Sequence, residues 1–364
     1  MEVPKYFEDL PDFRVKGRCL HELSDIVMLV LVGFIADCED FEEVEDFGND
    51  KKAYLQQFLK LPNGIPSHDT MNRVFRHLDS AALEACLREW GKAILAELDY
   101  KHLMVDGKEL RGTCPKGAKH ALNQLVSVWV SEAQLTLAQR QIEDKNNEIV
   151  AIPQVLQLLD IEQKVVTIDA IACQHTIVEQ IIEQKGDYVI ALKANQNQVF
   201  GQVKDHFERY SEQFLVCTQL DKDHHRAQER RYYYSGNVNA MACLGEWQGC
   251  QSVWMVESKR VYLNKTTTQK RYYLSSLSQV SAGQIVQFTR GHWSIENQLH
   301  WQLDVSFKED QSSVRRDNAP QNLAVMRKLA LQILKQVPDK TSIKRKRKKA
   351  ARDEDYLTTV LQAL

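Results

Sequence analysis

The chain has 364 residues and a formal net charge of −2. That length allows two domains, or one large domain with an insertion, and the near-neutral balance excludes a protein that grips nucleic acid through overall basicity. Its eight cysteines form no CxxC pair, which excludes the usual structural zinc site, and the longest apolar run, Ile26 to Ala36, is shorter than the roughly 20 residues a bilayer span needs. These features, with no visible secretory signal, lead to the expectation of a reduced, cytoplasmic protein without a membrane partner.

In chain order, residues 1–98 read as a helical domain. HELSDIVMLVLVGFIADC is apolar nearly all round, as a helix buried in a bundle is. LPNGIPSHDTMNRVFRHL opens on a Pro/Gly turn. Ser67 or Asp69 then caps a helix carrying Met71, Val74, Phe75 and Leu78. Ala81 to Leu98 continues as a further helix. Successive short helices suit a DNA-binding domain, and equally a plain packing domain.

The pattern changes after Asp99. HLMVDGKEL, NQLVSVWVS and LTLAQRQI read as three strands in hairpin order. IPQVLQLLD is helical, KVVTIDAI is a buried strand ending in an acid, TIVEQIIEQKG is a helix and DYVIALKANQ is another strand. This order implies a mixed α/β sheet with antiparallel strands first, over residues 99–212. Alternation dominates QFLVCTQL, ERRYYYSG, CQSVWMVESKRVYL and QKRYYLSSL, so residues 213–278 read as a β-rich insertion. Helices return over 279–340, where SVRRDNAPQNLAVMRKLALQILKQ reads as a polar loop and an amphipathic helix. Residues 341–364 hold the basic run KRKRKK, read as a solvated tail, and a terminal helix.

Asp106 and Asp169 each follow an apolar strand. In a sheet of this order the first and fourth strands can be neighbours, about 4.8 Å apart, which brings the two carboxylates within reach of one pair of cations. A divalent ion relieves their repulsion, and oxygen ligands favour Mg²⁺ or Mn²⁺. A third acid is required, and GHWSIENQLHWQLDVSFKED offers Glu296, Asp304, Glu309 and Asp310. Glu296, His300 and Asp304 share a helical face. Glu296 and Asp304 lie about 12 Å apart along it, so only one of them can join ions spaced about 3.5–4 Å. From spacing alone the choice stays open, with Glu296 preferred. Trp293, Leu299 and Trp301 are expected to anchor this helix.

The stretches GIPSHDTMNRVF, VDGKELRG, LVSVW, TIDAIACQ, GDYVIALKANQ and HWSIENQLHWQLDVSFKED, with Asn-Leu-Ala-x-x-Arg from Asn322, spread over most of the chain. Together they resemble the H-repeat-associated insertion-sequence transposases, a DDE family with an RNase H-like core. The resemblance implies that Asp106, Asp169 and Glu296 are the catalytic, metal-binding acids. It also implies two bound ions, element terminal inverted repeats and target DNA as partners, and a homo-oligomer on DNA in the bacterial nucleoid. The wider signature Y-x2-R-x3-E-x6-K is not kept, because Thr289, His292 and Leu303 occupy its other positions. Lys108, Arg111, Lys193 and Arg290 flank the acids and are candidate phosphate contacts. Two other readings stand beside an active transposase: a silent DNA-binding relic, and an RNase H-like nuclease without strand transfer. His68 with Asp69, Cys173 with His175, and the pair His224 and His225 lack convincing metal spacing.

Overall fold

The N-terminal helices form where apolar residues recur at helical spacing behind polar caps. In the computed structural model, which describes residues 5–15, 17–96, 98–114, 123–142, 148–223, 226–262 and 265–364, they are α1 (Lys5–Glu8), α2 (Leu23–Ile35), α3 (Phe41–Asp50), α4 (Lys52–Leu55), α5 (His68–His77) and α6 (Ser80–Leu95). The side chains of Asp40, Ser67 and Asp79 accept backbone N–H bonds at the starts of α3, α5 and α6. Ser67, not Asp69, is therefore the cap of α5. Apolar on every side, α2 is buried on every side. Its one buried acid, Asp25, accepts from the backbone amides of Lys60 and Leu61 at 3.2 and 2.7 Å. Gly33 lets α3 close on α2, since a Cβ there would meet Val44 at 2.8 Å. His224 and His225 lie outside the described residues.

The strands β1 (His102–Glu109), β2 (Gln124–Val130), β3 (Leu135–Ile142), β4 (Val165–Ile168), β5 (Asp187–Leu192), β6 (Leu215–Asp223), β7 (Arg226–Ser235), β8 (Ser252–Tyr262) and β9 (Lys265–Ser275) form one sheet. Its order is β3-β2-β1-β4-β5-β9-β8-β7-β6. β1, β4 and β5 run parallel, and the other pairings are antiparallel. The first five strands have the mixed, RNase H-like arrangement expected, with the first and fourth side by side. The β-rich stretch extends this same sheet, because β9 pairs with β5 from Val189↔Ser275 to Leu192↔Tyr272.

Alternation along the strands divides the core. Leu103, Val105, Val128, Ile168 and Ile190 share one buried cluster with α7 (Glu148–Leu156), α8 (His175–Glu183) and α9 (Asn197–Phe214). On the other face, Met104 and Trp129 meet the N-terminal helices, the 295–307 segment and α12, and Val189 meets α10. The elements there are α10 (Ala282–Gly291), a π-helix (Ile295–His300), α11 (Trp301–Ser306), α12 (Ala319–Gln336), α13 (Ile343–Arg352) and α14 (Glu354–Leu361). α9 is an 18-residue helical segment, kinked at Tyr210, that the apolar spacing did not reveal.

Two expectations are corrected here. α12 is not amphipathic: every residue from Ala319 to Leu334 is buried. It lies between the helical domain and the sheet, so its polar side chains must find partners inside. Asn322 donates to Phe75 O and Leu78 O at 2.8 and 3.0 Å. Lys328 donates to Ser127 Oγ and Gln139 Oε1 at 2.8 and 2.7 Å. Nor is KRKRKK a solvated tail. It folds into α13, where Lys346 and Arg347 are buried. The Lys346 ammonium caps the end of α12 by donating to Leu334 O and Val337 O at 3.0 and 2.8 Å.

Candidate active site

β1 and β4 stay paired only from His102↔Val165 to Val105↔Ile168. Asp106 and Asp169 are the next residue on each strand, at the point where the two chains part. β1 itself runs on to Glu109, paired with β2, so Asp106 lies within its strand and not at its end. The Asp169 side chain accepts from the amide of Ile171 at 2.9 Å, capping a single turn at Ala170–Ala172.

Glu296 comes from the other side, on the π-helix. Single π turns inside α-helical runs are frequent at functional sites. Ile295, Leu299, Leu303 and Phe307 are buried and hold this segment, each contributing about 1.5–3 kcal/mol of burial energy. The tryptophans do not anchor it: Trp293 and Trp301 are 38% and 53% exposed. Asp106, Asp169, Glu296, His292, Lys193 and Arg271 line one cavity of about 560 Å³.

The electrostatics of this cavity are those of an acid cluster lacking enough counter-charge. Burial, then Asp169, Glu296 and Glu148, push the Asp106 carboxyl up to about 7. Burial also raises Glu296, against the pull of Arg271. The surrounding histidines supply no charge, because burial lowers His102 and His300 to about 3 and His292 to about 4. Neutral His292 and His102 share the Thr167 hydroxyl at 3.2 and 2.8 Å. His300 Nδ1 lies 3.4 Å from Asp106 Oδ2, while its Nε2 is buried with no protein partner.

A hard divalent cation suits this donor set, since carboxylate oxygens are its preferred ligands and their repulsion is what it relieves. Among the described residues, however, no three His, Cys, Asp or Glu side chains are drawn round one point as a metal ion would require. The acids share the cavity without closing on a single centre.

Lys193 lines the cavity. Arg111 is exposed, 3.7 Å from Asp310 Oδ2. Arg290 donates to Gln219 Oε1 at 3.0 Å on the far side of α10. Lys108 turns inward instead. Its ammonium lies 2.6 Å from Asp304, 3.6 Å from Asp310 and 3.8 Å from buried Glu309. Asp304, which spacing alone left as a rival to Glu296, thus serves as the partner of Lys108 and ties the π-helix segment to β1.

Sequence reasoning missed Glu148. It opens α7, where an acid reads as an ordinary partner of the helix dipole. In the fold it lies over Gly107, close enough that a Cβ there would meet its carboxylate at 2.2 Å. Burial and Asp169 raise its carboxyl. Gly107 is what lets a fourth acid approach, but the sequence gives no sign that residues 107 and 148 meet. Arg271 was missed for a similar reason: it reads as a surface cation on an alternating strand.

Residues 97–333 match the family model described as the transposase DDE domain, and residues 4–91 match its associated N-terminal model. YncI of Escherichia coli O157:H7 is 34% identical over 98% of this chain and 93% of its own. The H repeat-associated protein YhhI of E. coli K12 is 32% identical over 99% and 98%. A shorter relative, the inactive transposase YbfQ of E. coli K12, is 40% identical over 20% of this chain and 92% of its own. No helix among the described residues is long and apolar enough to cross a membrane. With the family model spanning most of the sheet and the relatives spanning nearly the whole chain, this protein belongs to the DDE transposases and stands among their H repeat-associated members.

Proposed function

We propose that this transposase cuts DNA at the ends of its own insertion element and joins those ends to target DNA. The observation that carries the reading is that Asp106, Asp169 and Glu296, from three separate elements, line one cavity, where burial and then the charges of Asp169 and Glu296 push the Asp106 carboxyl up to about 7. In this reading the three acids hold two Mg²⁺ or Mn²⁺ ions, with Glu148 behind Asp106. Such ions supply activation of the attacking water or 3′-hydroxyl and charge neutralisation at the leaving 3′-oxygen. The chain's own part is to hold carboxylates close together and to keep three imidazoles neutral beside them. Lys193 and Arg271 offer the cavity's positive charge to a phosphate, with Arg111 and Arg290 further out. Lys108 instead anchors the Glu296 segment. Residues 1–98 would hold the element's terminal repeats, and a dimer or larger oligomer would pair two ends in the nucleoid.

The test is incubation with Mg²⁺ or Mn²⁺ and DNA carrying the repeats that flank the gene. Nicked and joined products support transposition. Nicking alone leaves a nuclease, and binding alone leaves a relic.

A second expectation concerns pH. The folded-state Asp106 carboxyl is raised above its ordinary value near 3.8. Its contribution to stability is therefore full below about pH 4 and is lost as pH rises through about 7. A cation that binds the ionised acids restores it. Millimolar Mn²⁺ should raise the melting temperature more at pH 8 than at pH 5, with about 2.7 kcal/mol of stabilisation at a hundredfold excess over Kd. Equal shifts at both pH values in a thermal melt would contradict this.

A further inference from the structure

A second cavity of about 450 Å³ adjoins the first across a shared wall of Arg271, Tyr273, Thr289 and Trp293. Arg230 of β7, Arg260 of β8, Arg271 of β9 and Arg290 of α10 all line it. Among the described residues, the acid paired with these arginines is Asp221, which pairs with Arg230 and lies 3.5 Å from Arg290. Arg260 makes no ion pair with any described residue. The opposite face of the same strands is different. There Arg231, Lys259 and Thr268 line a smaller hollow together with Glu229 and Glu257; Arg231 pairs with Glu229, and Lys270 lies 4.0 Å from Glu257. In a chain of net charge −2, one face of β7–β9 has thus been made selectively cationic. The Arg271 guanidinium lies 4.3 Å over the Trp293 ring, so a cation and a partly exposed aromatic stand together at the passage between the two cavities. Ser258, Ser294 and Asn297 add uncharged polar groups along the walls.

We propose that this arginine groove carries the sugar–phosphate backbone of a single DNA strand to or from the acid cavity, with Arg271 and Trp293 at the threshold. A cationic track interleaved with an aromatic platform is the chemistry that holds single strands without reading their sequence, and the volume suits nucleotides rather than a duplex. The direction of the strand rests on the function proposed above.

The test uses the full chain and a fluorescein-labelled duplex carrying the element's end with a single-stranded extension, followed by anisotropy across a salt series. The double variant Arg230→Gln, Arg260→Gln should bind more weakly, and its slope of log affinity against log salt should be shallower by roughly 1.4. Arg231→Gln with Lys259→Gln, on the opposite face, should leave both quantities unchanged. Equal slopes for the first double variant and wild type overturn the groove. So does an equal loss in both double variants, because that is a general charge effect. Cleavage by wild type with Mg²⁺ is measured on the same DNA. Cleavage without an arginine-dependent slope sinks the groove and leaves the proposed function standing; an arginine-dependent slope without cleavage does the reverse.

Discussion

Glu296→Gln should abolish DNA cleavage, by more than about 10³-fold, while binding to element-end DNA survives. The size follows from what is removed. A single donor to developing charge in an active site is worth on the order of 10²–10³, and loss of a charged ligand to a metal exceeds the roughly 10–100-fold cost of disturbing only its outer partners. Glutamine keeps the shape and one oxygen, so the packing of Ile295 and Leu299 is untouched. The swap also removes one of the charges that push Asp106 upward, so the metal-free protein should melt no lower than wild type. Lost activity with an unchanged melt and unchanged anisotropy separates chemistry from misfolding. A wild-type cleavage rate would remove Glu296 from the site. Asp304→Asn is the matched comparison. It breaks the 2.6 Å pair with Lys108 and should lower the melting temperature instead of eliminating chemistry. If Asp304→Asn were the silent enzyme and Glu296→Gln the active one, the third acid would be Asp304.

Much of the sheet was legible because it is written locally. A short apolar run such as KVVTI, bounded by polar residues, reads as a buried strand, and the order of the strands allows the first to lie beside the fourth, which brings Asp106 and Asp169 to neighbouring strands. What was not legible depends on contacts between distant segments. The π turn around Glu296 leaves no mark in a periodicity of i, i+3 and i+4. Trp293 and Trp301 look like anchors by size, yet Leu299 and Leu303 face inward and leave both rings partly in solvent. Glu148 lies outside the helix predicted from IPQVLQLLD, and only the fold, where it opens α7 over Gly107 of β1, marks it. α12 misleads for the same reason: Lys328 and Gln332 mark a polar face in sequence, but the sheet supplies Ser127, Gln139 and Thr136 to receive them. The whole-chain charge of −2 also hid the arginine groove, since alternation along β7–β9 gathers Glu229 and Glu257 with Arg231 and Lys259 on one face and leaves Arg230, Arg260 and Arg271 on the other.

The basic run gives the largest expected effect on stability. Arg347 should be irreplaceable in KRKRKK, whereas its neighbours Lys344 and Lys348 should tolerate alanine with changes of no more than about 0.5 kcal/mol. Arg347 is wholly buried, and its guanidinium fork is used on every side. It donates to Phe34 O at 2.8 Å, to Cys38 O at 2.9 Å and to Ser306 O. Asp37 lies 3.3 Å away, and the Phe307 ring lies 4.1 Å beneath it. Phe34 O and Ser306 O are carbonyls in the last turns of α2 and α11, where helix bonds run out, and Cys38 O lies just beyond α2. One side chain therefore joins the helical domain, the C-terminal helices and the segment that carries Glu296. Arg347→Met fills most of the volume but strands those acceptors and the Asp37 charge, a loss of about 3–5 kcal/mol. Arg347→Lys should recover little, because an ammonium cannot reproduce the planar fork. Urea unfolding checks the magnitude. Because Ser306 and Phe307 follow directly from the Glu296 helix, Arg347→Lys should also weaken Mn²⁺ affinity at temperatures where it is still folded. A variant that unfolds like wild type would return the run to the surface, as its composition first suggested.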